Sequence, residues 1–165
     1  DVYKRQGYLS VHEICRIGIE LCCILEYLHG YNGNGILHMD IKPDNIMLDK
    51  DGKVKLIDYD NAVEGNAGLT VESGSPLYAA PEQYNREKAV IQSDIYSLGM
   101  VILFMVSHGH IVTDENHKLS EISSRYSSLY HVINKSLHHE WGLRYSSVTY
   151  LKPVSYTHLT LPTIA

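Results

Sequence analysis

Asp40, Asn45 and Asp58 are the residues whose types and spacing could hold a divalent cation, and Lys42 stands between the first two. They belong to the run His38-Met39-Asp40-Ile41-Lys42-Pro43-Asp44-Asn45 and to a position shortly beyond it. Between Asn45 and Asp58 the short runs Ile46-Met47-Leu48 and Val54-Lys55-Leu56-Ile57 are joined by the turn-forming Asp49-Lys50-Asp51-Gly52, which predicts a hairpin. Such a hairpin brings Asp40, Asn45 and Asp58 to neighbouring strand ends. Two carboxylates and an amide around one point suit a hard cation such as magnesium carrying phosphate oxygens. Taken singly, each of these residues is ordinary, because an isolated surface Asp or Lys is usually only solvated. Their order along the chain, together with the motifs downstream of them, carries the signal.

The spacing resembles the protein-kinase pattern His-Arg-Asp-x-x-x-x-Asn followed by Asp-Phe-Gly. Downstream, Gly74-Ser75-Pro76-Leu77-Tyr78-Ala79-Ala80-Pro81-Glu82 resembles the substrate-facing loop and Ala-Pro-Glu motif that close a kinase activation segment. Asp94-Ile95-Tyr96-Ser97-Leu98-Gly99 is similar to the family's Asp-x-Tyr-Ser-Leu-Gly, and the segment from His138 to Tyr145 resembles the one whose arginine meets the Ala-Pro-Glu glutamate. On these elements the chain is identified as a member of the protein kinase family, of the eukaryotic-like Ser/Thr type found in bacteria.

The resemblance implies ATP and Mg2+ as cofactors and a protein Ser/Thr hydroxyl as substrate. It makes Asp40 the acceptor of the substrate proton and Lys42 the cation that neutralises the transferred phosphoryl group, with Asn45 and Asp58 as magnesium ligands. It places Ser75 beside Asp40 and Lys42, gives His38 and Asp94 structural roles around the catalytic loop, and pairs Glu82 with Arg144 in a buried bidentate bridge.

Two departures matter. Met39 stands where the family has the arginine that reads an activation-loop phosphate, so switching by such a phosphate, with Thr70 and Ser73 as the available hydroxyls, is not expected. Asp58-Tyr59-Asp60 replaces Asp-Phe-Gly, and Asp60 lacks the backbone freedom of glycine. A pseudokinase serving as a binding module is therefore an alternative. A small-molecule phosphotransferase of the aminoglycoside or choline type is a third reading, opposed by Lys42 and by the Ala-Pro-Glu segment. The Gly-rich loop, the Val-Ala-Ile-Lys strand and the acidic partner helix are absent from these residues, which implies an N-terminal lobe missing in cis and no activity for this segment alone.

The elements that must position these groups are mostly helical. Ser10-Val11-His12-Glu13 is a capping box, and Ile14, Ile17, Leu21, Leu25 and Leu28 then form one apolar stripe that ends before the turn-rich Gly30 to Gly35. Ser93 to Val106 is almost wholly apolar but shorter than the roughly twenty residues a membrane span needs, so a helix buried on all sides is expected. Asn61 to Ser73 reads as a loop, and Glu121 to Leu137 and Ser147 to Lys152 as helices. The expected fold is mainly α with one small β-hairpin, that of a kinase C-lobe.

Both ends look foreign. Asp1 to Gln6 and Val154 to Ala165 back-translate to strings resembling the two strands of a transposase-type sequencing adapter, leaving residues 7–153 as the expected domain. The 165-residue chain carries a net charge of -5, and its ends do not account for that acidity, which argues against a nucleic-acid partner. Cys15, Cys22 and Cys23 fall in one helical stretch and read as buried thiols of a cytoplasmic protein, with any membrane anchor outside this segment.

Overall fold

Ser10 caps the first helix as its sequence demands. Its hydroxyl accepts the Glu13 N–H at 3.2 Å and the Glu13 carboxylate accepts the Ser10 N–H at 2.9 Å, opening α1 (Val11–His29). The computed structural model describes residues 9–65, 68, 74–85, 88–109 and 127–152. The adapter-like ends and the hydroxyls of Thr70 and Ser73 lie outside the described residues. Ile14, Ile17, Leu21, Leu25 and Leu28 of α1 face the core, joined by Cys15 and Cys22, whereas Cys23 is exposed. The expectation of three buried thiols is corrected for Cys23. At about 100° per residue Cys22 flanks the stripe centred on Leu21, and the next step carries Cys23 round to the opposite face of the helix.

Past α1 the chain turns back on itself at Gly35, whose φ of 72° and whose approach to the His29 carbonyl leave no room for a side chain. A Cβ there would lie 2.6 Å from that oxygen. It then enters β1 (Ile36–Leu37). The hairpin expected from the sequence is formed by β2 (Ile46–Leu48) and β3 (Val54–Leu56), with Ile46 opposite Leu56 and Leu48 opposite Val54. Ile46, Val54 and Leu56 point inward while Met47 and Lys55 point out, the alternation a half-buried ribbon requires. Two side chains of α1 hold the hairpin: Arg16 donates to the Gly52 carbonyl at 2.9 Å, and Glu20 accepts the Val54 N–H at 2.8 Å.

Asn61 to Ser73, expected to be a loop throughout, contains β4 (Val63–Glu64), which pairs antiparallel with β1. A two-residue strand has no periodicity to read, and its partner is remote in sequence. After the short α2 (Pro81–Tyr84), α3 (Ile91–Val106) runs through the centre, buried along nearly its whole length. It packs on α1 and on α4 (Ser127–Ser136), the described part of the helix expected over Glu121 to Leu137. Gly99 makes the α3–α4 contact possible, since a Cβ there would stand 2.7 Å from that of Ser136. The expected helix at Ser147 to Lys152 is instead a 3-10 turn, Val148–Tyr150, whose N–H at Thr149 is capped by the Ser147 hydroxyl at 3.0 Å. Ser147 thus stands outside the turn as its N-cap, so the helical segment starts one residue later than expected. No helix among the described residues is long and apolar enough to cross a membrane.

Candidate active site

The segment between β1 and β2 carries four of the expected residues, and it is shaped by a carboxylate from elsewhere. Asp94, fully buried in the first turn of α3, accepts the N–H groups of His38 and Met39, each at 2.9 Å, and the Nε2 of His29 at 2.9 Å. Met39 has φ of 64°, a left-handed conformation that a non-glycine residue holds only against a cost of order 1 kcal/mol. The two N–H bonds to one carboxylate offset that cost, and the Met39 side chain is buried with Leu37 and Ala89.

With the backbone so turned, the Asp40 carboxylate meets its partners. One oxygen accepts the hydroxyl of Ser75 at 2.9 Å and its N–H at 3.2 Å, and the other accepts the Lys42 ammonium at 2.8 Å. Lys42 also donates to the Ser75 hydroxyl at 2.8 Å, closing a triangle. Burial pushes the Asp40 carboxyl up, but the Lys42 and Ser75 bonds outweigh it and hold the group below its ordinary pKa. Asp40 is thus an anion aimed at the point where Lys42 holds a positive charge.

Asn45 and Asp58 are brought together through backbone. The Ile57 N–H donates to the Asn45 carbonyl at 2.9 Å, and the Ile57 carbonyl accepts from His38 Nε2 at 3.2 Å. A carbonyl can only accept, so Nε2 carries the His38 proton and Nδ1 is left to accept the Asp40 N–H at 3.4 Å. His38, itself fully buried, is therefore a strut between the loop of Asp40 and the residue preceding Asp58. Asp58 has φ of 65° and an exposed side chain. Asn45 donates its amide NH2 to the Asp40 carbonyl at 2.9 Å and to the Asp40 carboxylate at 3.3 Å, which leaves its amide oxygen as an acceptor. Tyr59 packs on His38 with ring centroids 4.8 Å apart.

Among the described residues no group of three or more His, Cys, Asp or Glu could hold a metal. The donor set of one amide oxygen and one exposed carboxylate nevertheless fits magnesium, which is commonly held by one or two protein oxygens with phosphate and water completing the shell.

Farther from this point, Glu82 and Arg144 form a bidentate pair, at 2.7 and 2.9 Å, both side chains buried. The remaining Arg144 donors go to the carbonyls of His138, His139 and Gln92, so all five N–H groups are used. Burial raises the Glu82 carboxyl, but Arg144 and the Ser93 hydroxyl prevail and hold it below its ordinary pKa. Glu82 thereby fixes the end of the segment that delivers Ser75 to Asp40.

Two contributors escape sequence reasoning. Gln83 accepts the Ala80 N–H and donates to the Met39 carbonyl, both at 3.0 Å, and His29 completes the shell of Asp94. Gln83 had a weak signal in its place beside Ala-Pro-Glu; His29, at the end of α1, had none.

Comparison with known proteins agrees with the motifs. The family model described as the protein kinase domain matches residues 1–152. The chain is similar to Sperm motility kinase 3A of Mus musculus, 37% identical over 111 residues, covering 63% of this chain and 21% of that protein. It is similar also to the serine/threonine-protein kinase PknA of Nostoc sp., 38% identical over 115 residues, covering 63% of this chain and 20% of that protein. The probable LRR receptor-like serine/threonine-protein kinase PAM74 of Arabidopsis thaliana is 36% identical over 113 residues, 66% of this chain and 13% of that protein. The chain thus spans about a fifth or less of the length of these relatives.

Proposed function

This chain belongs to the protein kinase family, and we propose that residues 7–153 are the C-terminal lobe of a Ser/Thr protein kinase that moves the ATP γ-phosphoryl group to protein hydroxyls. The observation that carries the reading is the triangle of Asp40, Lys42 and Ser75. A substrate hydroxyl presented there would give its proton to Asp40, held anionic for that purpose, while Lys42 meets the charge of the group in transfer. Little covalent chemistry is asked of the protein, so positioning is most of the catalysis. When bound, magnesium at Asn45 and Asp58 would neutralise the phosphate oxygens of ATP.

Met47, Ile57 and Tyr59, exposed on and beside the hairpin, support a second lobe covering this face. That lobe would supply the Gly-rich loop and lysine that these residues lack, so the 165-residue chain alone is expected to transfer no phosphate. Asp60 favours a second reading, a pseudokinase acting as a binding module, because it adds a carboxylate where glycine is expected. The free thiols of α1 support a reducing, cytoplasmic setting.

The test is phosphorylation of random Ser, Thr and Tyr peptides by the product of the complete open reading frame with Mg-ATP. Transfer to Ser and Thr that falls at least 100-fold in Asp40→Asn is expected. Transfer unaffected by that substitution, or turnover of an aminoglycoside in place of peptides, would overturn the proposal, and ATP-independent partner binding without transfer would establish the pseudokinase.

A further inference from the structure

A cavity of about 420 Å³ opens beside Glu82, lined also by Pro81, Asn85, His139, Glu140 and Trp141. It is away from the Asp40 triangle and none of the chemistry above uses it. Its charge can be assigned. Glu82 is neutralised by Arg144, whose five donors are all engaged, so neither offers a free charge to a ligand. Glu140 does: its side chain is exposed, and among the described residues no Lys or Arg pairs with it. Its neighbour in the chain, Trp141, lines the same cavity and is 45% exposed, a large apolar residue left partly in water at a concavity.

A carboxylate next to an open indole is the recognition chemistry of an organic cation, which gains both a charge-assisted bond and attraction to the ring face. A guanidinium suits both at once, because its plane stacks on the ring while its edge donates to the carboxylate, a geometry that a compact, more strongly hydrated ammonium meets less well. The volume lies within the range of small-ligand sites, and the acidic net charge of -5 favours approach of a basic segment. We propose that this cavity is a docking site for an arginine side chain carried by an extended, basic peptide segment of a partner protein. The site does not depend on phosphoryl transfer and would serve an active kinase or a binding module alike.

Trp141 is the only tryptophan in the chain, so its emission reports on the cavity directly. Acetyl-Gly-Arg-Gly-amide titrated into the 165-residue chain should change that emission saturably, with a midpoint on the order of 1 mM. The citrulline peptide, equal in shape but uncharged, should bind at least tenfold more weakly. Glu140→Gln, on an exposed side chain, should weaken the arginine peptide roughly fivefold with an unchanged far-UV circular dichroism spectrum. Linear, unsaturable quenching like that of free N-acetyl-tryptophanamide, equal binding of the two peptides, or indifference to Glu140→Gln would each overturn the proposal.

Discussion

Asp94 holds Met39 by its backbone: the carboxylate accepts the Met39 N–H at 2.9 Å across a separation of 55 residues. A buried carboxylate is thus satisfied by N–H groups of the very loop it shapes, and the loop's left-handed turn is satisfied by the carboxylate. Asp94→Ala would leave two buried N–H groups unmade and release the turn. The expected loss is about 3 kcal/mol or more, read as a shift in urea midpoint, and Asp94→Asn should recover only part of it because one oxygen becomes a donor. A loss below 1 kcal/mol would contradict the account.

Ser75 and Lys42 keep Asp40 acidic against the opposing effect of burial. Removing either should therefore raise the Asp40 pKa, Lys42→Met more than Ser75→Ala, since the lysine bond is the larger of the lowering influences. Titration of the Asp40 carboxyl carbon by NMR reads this directly. An Asp40 pKa that stays where it is in both variants would mean that the triangle does not control the group.

Glu82 is also depressed, by Arg144 and Ser93 against burial. Its folded-state pKa lies below the unfolded value of about 4.3, so its stabilisation is complete above that pH and is lost as pH falls through the folded value. Glu82→Gln should cost about 3 kcal/mol at pH 7, because Arg144 is left buried with an unmatched charge, and the gap to the parent should narrow at pH 3. A gap that is the same at both pH values would show that the pair is not the source.

Met39 is buried among Leu37 and Ala89, with Val63 and Ile91 packed against them. Met39→Arg, which restores the family's usual residue, should destabilise the fold by about 2 kcal/mol or more, since the pocket offers apolar partners to a charge. Because Met39 offers no guanidinium to an activation-loop phosphate, any phosphoryl transfer by the complete protein should survive phosphatase treatment. Loss of activity on dephosphorylation would show a phosphate reader other than this position.

Cys23 is exposed, whereas Cys15 and Cys22 are buried and burial pushes the Cys22 thiol up to about 12. One thiol of the three should react promptly with a disulfide reagent at pH 8 and the other two only in denaturant. Prompt reaction of all three would indicate that α1 is not packed as described.

Much of this was legible in the residues alone, and the reasons are local. The capping box at Ser10 and Glu13, the stripe from Ile14 to Leu28, the apolar run of α3 and the turn at Asp49 to Gly52 are signals of short range. Each fixes backbone through neighbours three or four residues away or through unbroken burial. The motif order pointed to Asp40, Lys42, Asn45 and Asp58 as one group. Only the tertiary structure decided how they are held: His38 bridging to Ile57, Asp94 reaching Met39, Gln83 reaching the Met39 carbonyl, and β4 adding to β1. These are single hydrogen bonds or two-residue pairings between distant segments. They leave no period in a sequence, because geometry in three dimensions, not spacing along the chain, selects the partner.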